Sequence, residues 1–119
     1  MADNIAGQTL TASQDQGTPG YALGKIVLDA TAIVATDDLY VRTGFKPRNV
    51  RFQAASGVVI EWFEGMAANT CFKTAAAGAR TLESANGGIT VDDTGFRVRQ
   101  NATLAAVLAS TTNYYTAKV

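Results

Sequence analysis

Hydrophobic and polar residues alternate with a period of two along most of the chain. Asn49-Val50-Arg51-Phe52-Gln53 alternates cleanly, with Val50 and Phe52 on one side and Arg51 and Gln53 on the other. Val58-Val59-Ile60-Glu61-Trp62-Phe63 puts Val58, Ile60 and Trp62 on one face and Val59, Glu61 and Phe63 on the other. Both faces of that segment carry large apolar groups, so it reads as a central strand or an interface strand. Leu39 to Thr43, Ile89 to Val91 and Phe96 to Arg99 alternate in the same way. Lys25 to Asp29 and Tyr114 to Val119 are rich in strand formers, and 68–74 forms a weaker strand. Val50, Phe52, Ile60, Trp62, Ile89, Val91, Phe96 and Val98 fall on the inward phase and define the expected core.

The connections carry turn chemistry. Pro47 cannot donate to a central ladder, so residues 44–48 are a connection. Residues 54–57 and 64–67 read as turns, and Asp92-Asp93-Thr94-Gly95 as a hairpin in which Gly95 supplies positive φ. Gly78 interrupts the alanines of 75–79, which read as a loop. Leu104, Val107 and Leu108 match one helical face with Asn101 as cap, which predicts a helix of two turns over 101–108. The pattern as a whole predicts an all-β fold. It is an antiparallel β-sandwich or barrel of about eight short strands, with at most one short helix.

Residues 1–22 differ from this pattern. They are rich in Gln, Thr, Ser, Asp and Gly, with Ile5 and Leu10 as their main aliphatic anchors, and 17–20 reads as a linker. The expectation is an extended N-terminal arm over 1–22 that lies along a neighbouring subunit, followed by a β-sandwich domain over 23–119.

Composition narrows the function. Ten basic and ten acidic residues leave no net charge, so nothing marks a nucleic-acid or anionic-membrane partner. Charged residues are only 17% of the chain, which suggests a surface that faces other protein. The chain has no histidine, and therefore neither the usual general base nor the commonest metal ligand. Cys71 is the single cysteine, which excludes an intrachain disulfide and leaves a nucleophile without its imidazole partner; it reads as a small buried thiol. No run reaches the roughly 18 apolar residues of a membrane span. Met1-Ala2-Asp3-Asn4 lacks the basic and apolar regions of a signal peptide, so synthesis in the cytoplasm is expected.

The remaining chemistry is thin. Asp37-Asp38 and Asp92-Asp93 lack the further spaced ligands of a calcium loop and fit turns better. Glu61 and Glu64 lie on one strand and its turn, which rarely supplies a glycosidase pair. Trp62, Phe63 and Tyr40 could form a sugar-stacking platform, but core or interface packing is the better account of them. Arg42, Arg48, Arg51, Arg97 and Arg99 lie on or beside strands; balanced by acids, they suit protein interfaces. No catalytic, cofactor or metal residues are expected.

Three segments in order carry a resemblance. They are Gly44-Phe45-Lys46-Pro47-Arg48, then Glu61-Trp62-Phe63-Glu64-Gly65-Met66, then Gly88-Ile89-Thr90-Val91-Asp92-Asp93-Thr94-Gly95-Phe96. This order resembles the small virion structural proteins of tailed bacteriophages, in particular capsid decoration, or cement, proteins. The resemblance implies a non-enzymatic protein on the capsid surface whose partners are the major capsid protein and its own copies, as a homodimer or homotrimer. It implies neither cofactor, nucleic acid nor membrane. Ile5, Leu10, Arg48, Val59 and Phe63 are the expected interface residues. A tail or fibre component, or a carbohydrate-binding β-module, is the alternative.

Overall fold

The computed structural model describes residues 10–15 and 20–119. They form ten antiparallel strands in two sheets: β1 (Leu10–Asp15), β2 (Tyr21–Leu28), β3 (Asp38–Arg42), β4 (Asn49–Gln53), β5 (Val59–Phe63), β6 (Cys71–Thr74), β7 (Arg80–Glu83), β8 (Ile89–Asp92), β9 (Gly95–Arg99) and β10 (Thr112–Lys118). The larger sheet runs β1-β2-β10-β4-β5-β6-β7, and the smaller runs β3-β9-β8. The all-β, sandwich-type architecture expected from the alternation is therefore what the chain adopts. Within the span read as an arm, β1 adds to β2 of the same chain, with Leu10 opposite Leu28, and β2 already starts at Tyr21. Ile5 lies outside the described residues.

The two sheets enclose one core. Ile26, Val50, Phe52, Ile60 and Trp62 of the large sheet meet Leu39, Val41, Ile89, Phe96 and Val98 of the small one. Burial removes each such side chain from water and is worth roughly 1.5–3 kcal/mol for a large aliphatic or Phe. Phe96 and Tyr115 cross the gap edge to face, with ring centroids 5.4 Å apart. Every residue of the expected core is buried except Val91, which is half-buried and packs against it. Buried polar groups are paired, as burial demands. Asp38 accepts from Arg99 Nε at 2.9 Å, and Asn113 Oδ1 takes the Ala55 N–H at 3.1 Å.

Residues 101–108 are not a helix. Asn101 Oδ1 does accept the Thr103 N–H, and the Ala105 N–H reaches the Asn101 carbonyl, closing one helical turn. Ala105 then adopts φ +60°, a left-handed conformation that stops propagation. The turns nevertheless bury Leu104 and Val107 completely in the core, so the apolar spacing is satisfied without a helix.

Gly95 also differs from expectation, since its φ is not positive. The hairpin instead rests on the Asp92 carboxylate, whose Oδ1 accepts the N–H groups of Thr94 and Gly95, each at 2.9 Å. Glycine is needed at 95 because a Cβ there would run into the Val41 carbonyl oxygen on β3.

Candidate interaction surface

Among the described residues, the outer face of the large sheet, opposite the core, carries most of the exposed large apolar side chains: Tyr21, Leu23, Phe63, Leu82 and Tyr114. Cross-strand register arranges it in rows. One row reads Lys25, Tyr114, Gln53, Val59, Thr74, Arg80 from β2 to β7. The next reads Leu23, Thr116, Arg51, Glu61, Phe72, Leu82. A third, shorter row reads Tyr21, Lys118, Asn49, Phe63. Strands lie about 4.8 Å apart, so five steps from β2 to β7 span about 24 Å.

The β5–β7 end of this face is apolar. Phe63 is 43% exposed and Leu82 64% exposed. Phe63 meets Phe72 edge to face with centroids 6.3 Å apart, and the Arg80 guanidinium lies 5.8 Å from the Phe72 ring centre. Arg80 Nη2 also donates to Glu61 Oε1 at 3.0 Å, so its charge is spent within the face. A shallow depression of about 180 Å³ lies between Phe63, Phe72 and Arg80.

The β2–β10–β4 end is different. Tyr114, 54% exposed, stands between Lys25 and Gln53, and Thr116 between Leu23 and Arg51. Lys25, Arg51 and Lys118 are exposed and make no ion pair with a described residue.

Two of the expected interface residues, Val59 and Phe63, lie on this face, with Val59 half-buried. Arg48 sits just before β4, exposed, with its Nη2 2.8 Å from Glu64 Oε1. Such an exposed pair contributes about 0–1 kcal/mol. Leu10 opens β1. Phe72, Arg80 and Leu82 were not expected: β7 lacks a strong apolar alternation, and Phe72 on β6 joins the group only through cross-strand register, opposite Leu82.

The alternative constellations disperse. Trp62 is buried and donates its Nε1–H to the Ala67 carbonyl at 3.3 Å, whereas Phe63 points to the opposite face and Tyr40 belongs to the other sheet. Tyr40 lies beneath the Arg97 guanidinium at 4.4 Å and hydrogen-bonds Thr94 Oγ1. The arginines do not form one stripe: Arg97 pairs with Asp92 and Arg99 with Asp38 on the small sheet, while Arg51 lies on the large one. Glu61 and Glu64 are each held by a different arginine. Among the described residues no three acidic or cysteine side chains cluster as a metal site would require.

Titration follows these contacts. Burial alone would raise the Asp92 carboxyl, but hydrogen bonds from Thr94, Arg97 and Gly95 outweigh it and hold it below its ordinary value. Burial pushes the Cys71 thiol up to about 12, helped by Glu83 and opposed by Lys73. Such a thiol is protonated and inert at neutral pH.

A second cleft, about 260 Å³, opens at the sandwich end between Lys46, Pro47, Trp62, Glu64, Met66 and Val91. Among the described residues no helix is long and apolar enough to cross a membrane. Comparison of the chain with family models, curated proteins and solved structures finds no match.

Proposed function

We propose that this protein is a structural subunit of a tailed-bacteriophage head, a decoration protein that sits on the outer surface of the capsid lattice. In this reading it binds the major capsid protein and copies of itself, and stabilises the shell by bridging neighbours. It acts by binding alone, with neither catalysis nor cofactor. The observation that carries the reading is the apolar end of the outer sheet face, where Phe63, Phe72 and Leu82 meet beside the open edge of β7. Contiguous exposed apolar groups on a small protein mark a surface that other protein covers. An unpaired edge strand offers main-chain donors and acceptors for a second copy. The three segments that resemble virion proteins supply the phage context.

The test is the copy number of the chain in purified particles of the phage that encodes it, by quantitative mass spectrometry. A capsid coat requires hundreds of copies in fixed ratio to the major capsid protein. A handful of copies would move the protein to a tail or fibre, and its absence would refute the reading. Leu82→Glu should weaken retention on particles by about tenfold or more, which corresponds to about 1.4 kcal/mol.

A further inference from the structure

The outer sheet face gathers its cations outside the Arg80–Glu61 pair at one end, which the neutral chain as a whole does not reveal. The chain is neutral overall. From β2 across to β7 the outward positions nevertheless hold four cations, Lys25, Arg51, Arg80 and Lys118, against one carboxylate, Glu61. Arg80 is already engaged by that carboxylate. The three remaining cations all sit on adjacent strands β2, β10 and β4, interleaved with Tyr21, Leu23 and Tyr114. Asp15 stands one strand further out, in register with Leu23.

We propose that this β2–β10–β4 end is a docking surface for an acidic protein surface, whose carboxylates meet Lys25, Arg51 and Lys118 while Tyr114, Tyr21 and Leu23 supply the apolar anchors. The occupant follows from charge complementarity. A two-fold pairing of this end with itself would set cations against cations, which self-complementary interfaces avoid. The apolar β5–β7 end carries no such penalty, so copies of the chain would meet there and the foreign partner here. Protein also fits better than nucleic acid. Tyr and Arg are the residues that anchor protein interfaces. A neutral chain lacks the long-range pull on a polyanion that nucleic-acid binders use. The inference deepens the proposed function by naming which end of the face meets the partner lattice, and rests on that function only for where the partner is found.

The test uses the full-length protein on two matrices at low salt, one bearing poly-L-glutamate and one bearing single-stranded oligothymidylate. The wild type should be retained on polyglutamate and released by salt, as interactions between exposed charges are screened. The double variant Lys25→Glu with Lys118→Glu should lose retention by about tenfold or more, and Arg51→Gln should shift elution to lower salt. Arg42→Glu changes an equally exposed cation on the small sheet and should leave retention nearly intact. Fluorescence of the buried Trp62 checks that each variant is folded. Failure of the wild type to bind polyglutamate, equal loss in Arg42→Glu, or tighter binding to oligothymidylate would each overturn the proposal. Neither matrix contains a particle, so a negative copy-number result bears on the proposed function and leaves this result standing.

Discussion

Replacing Phe96 by alanine tests whether the two sheets share one core. Phe96, the second residue of β9, is fully buried between Val41 on β3 and Val91 on β8 in register. Its ring also reaches the large sheet through the edge-to-face contact with Tyr115. Truncating a buried Phe removes transfer free energy and leaves a cavity, together about 3–5 kcal/mol. The aromatic pair adds about 0.5–1.5 kcal/mol beyond burial, which places this site toward the upper end. A domain of this length has about 6–18 kcal/mol of stability in all, so the variant should fold but with a much reduced margin. The assay is urea denaturation followed by Trp62, the single tryptophan, which lies on β5 of the opposite sheet. The midpoint should fall with little change in slope, since the buried surface as a whole is retained. Phe63→Ala, at an exposed outer-face ring, serves as the contrast and should cost well under half as much. A loss below about 1 kcal/mol for Phe96→Ala would refute the shared core, because so small a value belongs to surface sites.

Two further outcomes follow from the same packing. Cys71 is raised from 9.0 and Tyr115 from 10.0, each to about 12 by burial, so the folded state holds these protons longer than the unfolded chain does. Their contribution to stability is complete below about pH 9 and is lost as pH rises to about 12, so denaturation midpoints should decline across about pH 9 to 12, and Tyr115→Phe should flatten that decline. Gly95→Ala forces a methyl against the Val41 carbonyl and the Arg42 Cα of β3, all of it backbone that cannot rotate away. It should destabilise by about 1–3 kcal/mol or more in the same urea assay, and an unchanged midpoint would show that β3 is not held where the register places it.

What the sequence made legible follows from burial. β4 and β9 have one face in the core and alternate cleanly, so their inward residues are readable one by one, while β5, apolar on both faces, still shows its inward phase in Ile60 and Trp62. β1 and β7 are the edges of the large sheet, and β7 buries little, so neither needed the pattern that would have betrayed it. The 101–108 segment misled because a spacing of three between Leu104 and Val107 suits a helix and a buried turn alike. The left-handed Ala105 that decides between them leaves no apolar signature. Gly95 was readable as a required glycine, but not for its reason, since the Val41 carbonyl comes from a strand over fifty residues away. The candidate surface was half legible for a similar cause. Phe63 and Val59 announced themselves by phase within one strand. The Phe63–Phe72–Leu82 group and the Lys25–Arg51–Lys118 group exist only through cross-strand register, which joins the two ends of the chain to its middle.

The size of the outer face bears on how a subunit of the proposed kind would hold on. Its rows span about 24 Å across strands and, over four residues, about 13 Å along them, a footprint of about 300 Å². A stable pairwise complex buries about 800 Å² on each partner. Neither the apolar end nor the basic end can therefore sustain tight binding alone, and both self-association and lattice contact in solution should be weak and concentration-dependent. The two ends have incompatible chemistries, one suited to a copy of the chain and one to an acidic surface, so they do not compete for the same occupant. On a lattice, a subunit held at one end presents the other at high effective concentration, and two weak contacts multiply into firm attachment. A coat built this way would load cooperatively onto assembled shells while the free protein stays dispersed. Titrating labelled protein onto undecorated particles should accordingly give a binding curve steeper than a single-site isotherm. Leu82→Glu, which spoils only the apolar end, should reduce the curve to single-site shape; a simple isotherm from the wild type would mean that the two ends do not act together.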